Sequence, residues 1–137
     1  MKKILLIIAA LGIASISSAQ KNKIEFSEFD LDNGLHVILH QDNSTPIVAV
    51  SVLYHVGSKN EVKGKTGYAH FFEHLMFEES ENIAQDEYAK IVQSVGGTIN
   101  AYTSNDQTYY HCVLPSNQLE LGLWMESERM LNAKITQ

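Results

Sequence analysis

A single cysteine, Cys112, stands in 137 residues, so no intramolecular disulfide can staple this fold. Basic residues are scarce too: 10 Lys and Arg face 16 Asp and Glu, the formal net charge is -6, and no basic cluster occurs. That balance argues against nucleic acid as a partner. The apolar run at residues 4–13 is shorter than the roughly 20 residues that a membrane-spanning helix needs. Internal repeats and low-complexity segments are lacking. The 45% hydrophobic and 19% charged content is globular and excludes a disordered chain. The length predicts one domain at most.

The short run reads instead as an export signal. Met1-Lys2-Lys3 is positive, the apolar stretch follows, and Ser17 and Ala19 put small residues where a signal peptidase reads them. A signal peptide over 1–19 is predicted, with Gln20 as the first mature residue. An uncleaved anchor is disfavoured by the run's length, and a lipid anchor by the lack of a cysteine after it. Cleavage removes Lys2 and Lys3 and no acid, leaving 8 basic against 16 acidic residues and a formal charge of -8. The expected destination is exported, periplasmic or secreted, with no membrane association after signal cleavage. Cys112 reads as a small buried strand residue rather than a reactive thiol.

Along the mature chain, residues 24–31 and 35–40 are predicted strands around Asp32-Asn33-Gly34. Asn-Gly favours a hairpin in which both turn positions take positive φ. Residues 47–56 are apolar on both faces, as in an interior strand. Residues 57–65 form a loop, and Thr66 is the expected cap of a helix that follows. The acidic residues 78–82 read as a solvated loop. A second helix is predicted over 86–95, where Tyr88, Ile91, Val92 and Val95 keep helical spacing and Gly96 suits a left-handed end. Residues 98–103 and 107–114 form a second hairpin, stopped by Pro115. A third helix covers 117–132, with a capping-box-like Asn117 and Glu120 and an apolar stripe of Leu119, Leu123, Trp124, Met130 and Leu131. The expected fold class is α+β, a mostly antiparallel sheet with helices packed on one face.

The chemistry lies in His70-Phe71-Phe72-Glu73-His74. On a helix, His70 and His74 stand one turn apart on one face with Glu73 beside them, and Tyr68, Phe72, Leu75 and Met76 are expected to enter a core. Two imidazoles and a carboxylate on an otherwise apolar helix are costly to desolvate without a partner, and a divalent metal would use all three. Two histidines at this spacing can chelate zinc, and Glu73 can take a proton from a metal-activated water that attacks a peptide carbonyl. The order His-x-x-Glu-His is the inverzincin signature.

The flanks extend that motif. Asn33-Gly34-Leu35, Tyr54-His55-Val56-Gly57-Ser58 and Gly64-Lys65-Thr66-Gly67-Tyr68-Ala69 precede or enter it, and Leu75-Met76-Phe77 closes it. Gly96-Gly97-Thr98-Ile99-Asn100-Ala101-Tyr102-Thr103-Ser104-Asn105-Asp106 and Leu123-Trp124-Met125-Glu126-Ser127-Glu128-Arg129-Met130 follow. In this order, over nearly the whole mature chain, the sequence resembles the pitrilysin and insulin-degrading family of zinc metallopeptidases, which includes the mitochondrial processing peptidases. The resemblance implies a zinc-dependent metalloendopeptidase, exported by the signal segment read above, with Zn2+ held by His70 and His74, and Glu73 as general base. It implies that Asn100 and Ala101 lie on an edge strand that pairs with an extended peptide or unfolded polypeptide substrate. Glu79 departs from the family's glycine near that position.

A catalytic zinc site takes three protein ligands and a water. The resemblance puts the third ligand, a Glu, near position 150, beyond Gln137. Residues 20–137 are therefore expected to be a partial N-terminal peptidase domain, a truncated portion of a pitrilysin-type domain that is inactive alone. Glu120, Glu126 and Glu128 read as solvent-facing acids, and His36, His40, His55 and His111 as structural histidines. A complementary peptidase half or homologous subunit is the expected protein partner. The alternative reading is a non-catalytic metal- or peptide-binding piece, or an inactive subunit, docked on a complete peptidase.

Overall fold

The computed structural model describes residues 23–135, so the predicted signal segment and its cleavage point lie outside the described residues. The described residues divide into two compact units, the first ending at Asn43 and the second beginning at Ser44.

In the first unit, β1 (Ser27–Asp30) pairs antiparallel with β2 (His36–Leu39), with Asp30 opposite His36. The turn differs from the two-residue form expected of Asn-Gly. Gly34 donates to the Leu31 carbonyl, Leu31 donates to Leu35, and Gly34 alone has positive φ (84°). This is the three-residue connection in which a turn is followed by one left-handed residue. The Asn33 side chain accepts from the Leu35 N–H instead of shaping the turn through its own backbone.

The second unit is built on three antiparallel strands in the order β3-β6-β5: β3 (Ile47–Tyr54), β5 (Thr98–Thr103) and β6 (Thr108–Pro115). Residues alternate along β6, with Thr108, Tyr110, Cys112 and Leu114 all buried. The cross-strand partners Val50, Cys112 and Ile99 share that face. Cys112 is buried as expected, and burial raises its thiol pKa. β3 is not the interior strand expected of it. Among the described residues it pairs only with β6, and its outward residues Ile47 and Leu53 are exposed.

Three helices cover the buried face: α1 (Tyr68–Leu75), α2 (Tyr88–Ser94) and α3 (Leu119–Leu131). Val92, Tyr88 and Met125 join Val50, Ile83, Cys112 and Leu114 in the core. α2 starts later than expected because Asp86 has φ 63°, a left-handed residue that cannot belong to a helix. Its end is as expected. Gly96 is left-handed, Gly97 donates to Val92 and Gly96 to Gln93, a Schellman end. The acidic segment after α1 is not a solvated loop. Glu79–Ser80 forms β4, paired with β7 (Ala133–Lys134), and Ser80 is buried.

α3 presents the reverse of its expected face. Leu119, Leu123, Trp124, Met130 and Leu131 are exposed, whereas Gly122, Met125, Glu126, Glu128 and Arg129 are buried. The expected Asn117 capping box is absent too: a 3-10 turn (Ser116–Gln118) leads in, and Gln118 is the cap residue, with no side-chain bond. Arg129, 1% exposed, explains the rotation. Its guanidinium lies 4.5 Å from the Phe77 ring, 5.0 Å from Tyr88 and 4.5 Å from Tyr110. It donates to Glu126 through Nε (3.0 Å) and to the Met76 carbonyl through Nη1 (2.7 Å). A buried guanidinium needs a buried carboxylate, so Glu126 turns inward with it. Glu128 accepts from Ser80, Asn82 and Asn132, bonds that hold its pKa below the usual carboxylate range, led by Asn82.

Removing one partner of a buried ion pair costs about 3–5 kcal/mol because the other charge stays behind. Arg129→Met is expected to lose that much in urea unfolding, and Arg129→Met with Glu126→Leu to recover a large part of it. Leu131→Ser, at a residue 80% exposed, is expected to change stability by less than about 0.5 kcal/mol.

Candidate functional site

α1 does not begin on Thr66. Gly67 precedes its first residue with φ 91°, a conformation that favours glycine, and makes no side-chain cap bond. Glu61 does the capping from outside the helix, its two carboxylate oxygens accepting from the Gly67 and Ala69 N–H groups at 2.9 Å each. These two bonds, Ala69's first, hold the Glu61 carboxyl below its ordinary pKa. The segment carrying Glu61 is pinned in turn. Ser58 and Lys59 donate to the Ser104 and Asn105 carbonyls at 3.0 Å each, and Lys59 pairs with Asp106. Gly57 permits this approach, since a Cβ there would collide with both of those carbonyls. The loop expected over 57–65 is therefore a clamp between the β5–β6 turn and the start of α1.

Only part of the face of α1 expected to enter the core turns inward, Leu75 and Met76 being half-buried. Tyr68 and Phe72 are exposed, and the buried residue of the helix is Glu73 at 7% exposure. Its Oε2 accepts from Thr103 Oγ1 at 2.5 Å, at the end of β5. His70 and His74 are exposed and converge, with their Nε2 atoms 3.1 Å apart. Two ligands about 2.0–2.1 Å from one tetrahedral ion stand about 3.3 Å apart, so this pair fits one zinc-sized ion. Among the described residues no third His, Cys, Asp or Glu completes a ligand set.

A cavity of about 450 Å³ opens between α1 and the β5 edge, lined by His70, Glu73, Glu61, Ala101, Tyr102 and Thr103 among others. Ala101 faces this cavity, opposite Tyr110 across the ladder. Asn100 does not line it: it pairs with His111, and its Oδ1 accepts from the Ala101 N–H at 2.9 Å. Among the described residues β5 pairs only with β6, so it is the edge strand expected. Three of the other histidines have local contacts. His36 bonds Asp30 (2.8 Å), which raises its pKa, His40 bonds the Glu25 carbonyl (2.6 Å), and His111 stacks on Tyr109. The sequence reading missed Glu61 and Thr103. Neither has a local signal, since Glu61 meets Gly67 and Ala69 six and eight positions on and Thr103 meets Glu73 thirty positions back.

The α+β arrangement recurs in solved proteases. A protease from Helicobacter pylori superposes with a TM-score of 0.80 at 38% identity, over 83% of this chain and 28% of that one. The first half of the periplasmic protease PqqL from Escherichia coli does so with a TM-score of 0.73 at 29% identity, over 80% and 25%. Residues 36–137 match the family described as Insulinase (Peptidase family M16), and the chain belongs to that family. Its relative zinc protease PqqE from Helicobacter pylori is 43% identical over 107 residues, 76% of this chain and 24% of that protein. The chain spans about a quarter of the length of each of these proteins. Among the described residues no helix is long and apolar enough to cross a membrane.

A carboxylate with a lowered pKa stabilises the fold above its unfolded pKa, and that contribution is lost as the pH falls through the folded value. The stability difference between wild type and Glu61→Gln is thus expected to hold steady above about pH 5 and to shrink below about pH 4.5. Chemical denaturation across that range checks this. A difference unchanged to about pH 3 would show that the Glu61 charge does not hold α1.

Proposed function

We propose that this chain forms the zinc-holding part of an exported metalloendopeptidase that hydrolyses extended or unfolded polypeptides. The observation that carries the reading is the convergence of His70 and His74 Nε2 to 3.1 Å, on the helix that aims Glu73 into the cavity. In this reading both imidazoles hold Zn2+ as neutral ligands, and a third ligand comes from outside the described residues. Zinc, when bound, supplies Lewis acidity at the scissile carbonyl and makes water a stronger acid.

The chain's own residues do the rest. Glu73 takes the proton from the attacking water and returns it to the leaving amine, so that water and an amide become a carboxylic acid and an amine. The open edge of β5 at Asn100 and Ala101 receives the substrate backbone as an added strand, which favours extended chains over folded ones. Export over residues 1–19 fits a periplasmic setting like that named for PqqL. The similarity to the first half of PqqL also supports a complementary half as partner.

Elemental analysis of the complete protein, with its third ligand present, is expected to find about one zinc per chain, lost in His70→Ala and in His74→Ala. Glu73→Gln is expected to keep the metal and lose hydrolysis of an unfolded peptide by about 10²–10⁴-fold. Zinc retained in both histidine variants, or full hydrolysis in Glu73→Gln, would overturn the assignment.

A further inference from the structure

We infer that Thr103 is a positioning residue for Glu73, fixing which carboxylate oxygen exchanges the proton; the inference rests on the peptidase reading above. A Thr hydroxyl has one proton to give. Thr108 Oγ1 gives its proton to the Val56 carbonyl at 3.0 Å, although the two hydroxyls lie 3.4 Å apart. Thr103 gives its own to Glu73 Oε2 at 2.5 Å. Each hydroxyl proton is thus committed in a different direction. The Thr103 bond engages Oε2 and leaves Oε1 to meet the water.

The donor itself is held. Thr103 is β-branched, so its χ1 is restricted, and it ends the strand at the turn that the Ser58 and Lys59 N–H groups grip. Val56, the acceptor for Thr108, precedes Gly57, whose lack of a side chain lets that grip form. The sheet, the turn and the clamp therefore set the direction from which the hydroxyl reaches Glu73. A hydrogen bond from a neutral hydroxyl to a carboxylate is among the stronger kinds, and in a half-buried site it restricts the side chain's rotamers. Misplacement of a reacting group by about 1 Å can cost on the order of a hundredfold in rate.

The test compares Thr103→Val, which removes the hydroxyl at constant shape, with Thr103→Ser, which keeps it. The full protein is used, with kcat and KM on an unfolded peptide, zinc content and thermal unfolding measured for each. Thr103→Val is expected to lower kcat about ten- to a hundredfold, with KM within about twofold and zinc content unchanged. Thr103→Ser is expected to restore most of the loss. An unchanged kcat in Thr103→Val, or equal losses in both variants, would overturn the inference. A wild type that binds zinc but cleaves nothing would count against the peptidase reading instead. The restraint would then be judged by thermal unfolding: Thr103→Val should lower Tm in the wild-type background and not in Glu73→Met. Equal shifts in the two backgrounds would overturn it.

Discussion

Burial of the Arg129 guanidinium is the constraint on which the second unit depends. Moving such a charge out of water costs several kcal/mol unless carboxylate, carbonyl and aromatic partners surround it. Glu126 on α3, the Met76 carbonyl after α1, Phe77, Tyr88 on α2 and Tyr110 on β6 provide those partners. All three helices and the central strand therefore meet at one planar cation. The surroundings register in Tyr110 too. Burial pushes its phenol up to about 12, although the nearby Arg129 charge acts the other way.

The same contact helps place the chemistry. α1 keeps few apolar residues inside, and polar ties hold it at three heights. Glu61 caps its start, Thr103 meets Glu73 in its middle, and Arg129 takes the Met76 carbonyl just past its end. With Glu73 turned towards the sheet, His70 and His74 are exposed, and His70 lines a cavity bordered by β5, an edge strand among the described residues. A helix packed through a wide apolar face would bury its imidazoles more readily. Polar anchoring leaves two imidazoles at the surface and one carboxylate buried.

The α+β class and the order of the larger elements were legible in the sequence, because strand alternation, helical spacing and the Gly96 end are local signals, and the family was legible through the ordered motifs around His70 and His74. The sequence also showed that His70, Glu73 and His74 share a helix, which needs only 3.6 residues per turn. It failed where a tertiary partner overrides hydropathy. The stripe of Leu119, Leu123 and Trp124 looked like the buried face of α3, but Arg129 and Glu126 satisfy each other and take that place. Tyr68 and Phe72 misled in the same way on α1. Glu61 and Thr103 were hidden because their partners lie up to 30 positions away. Asn33-Gly34 pointed to a hairpin correctly but to the wrong turn, since one left-handed residue closes it.

The central claim is that His70 and His74 hold one zinc ion between them. X-ray absorption at the zinc edge of the purified protein addresses it most directly. The account predicts a first shell with two imidazole nitrogens at about 2.0–2.1 Å, one of them lost in His74→Ala. A sphere with no imidazole, or one unchanged in His74→Ala, would contradict it.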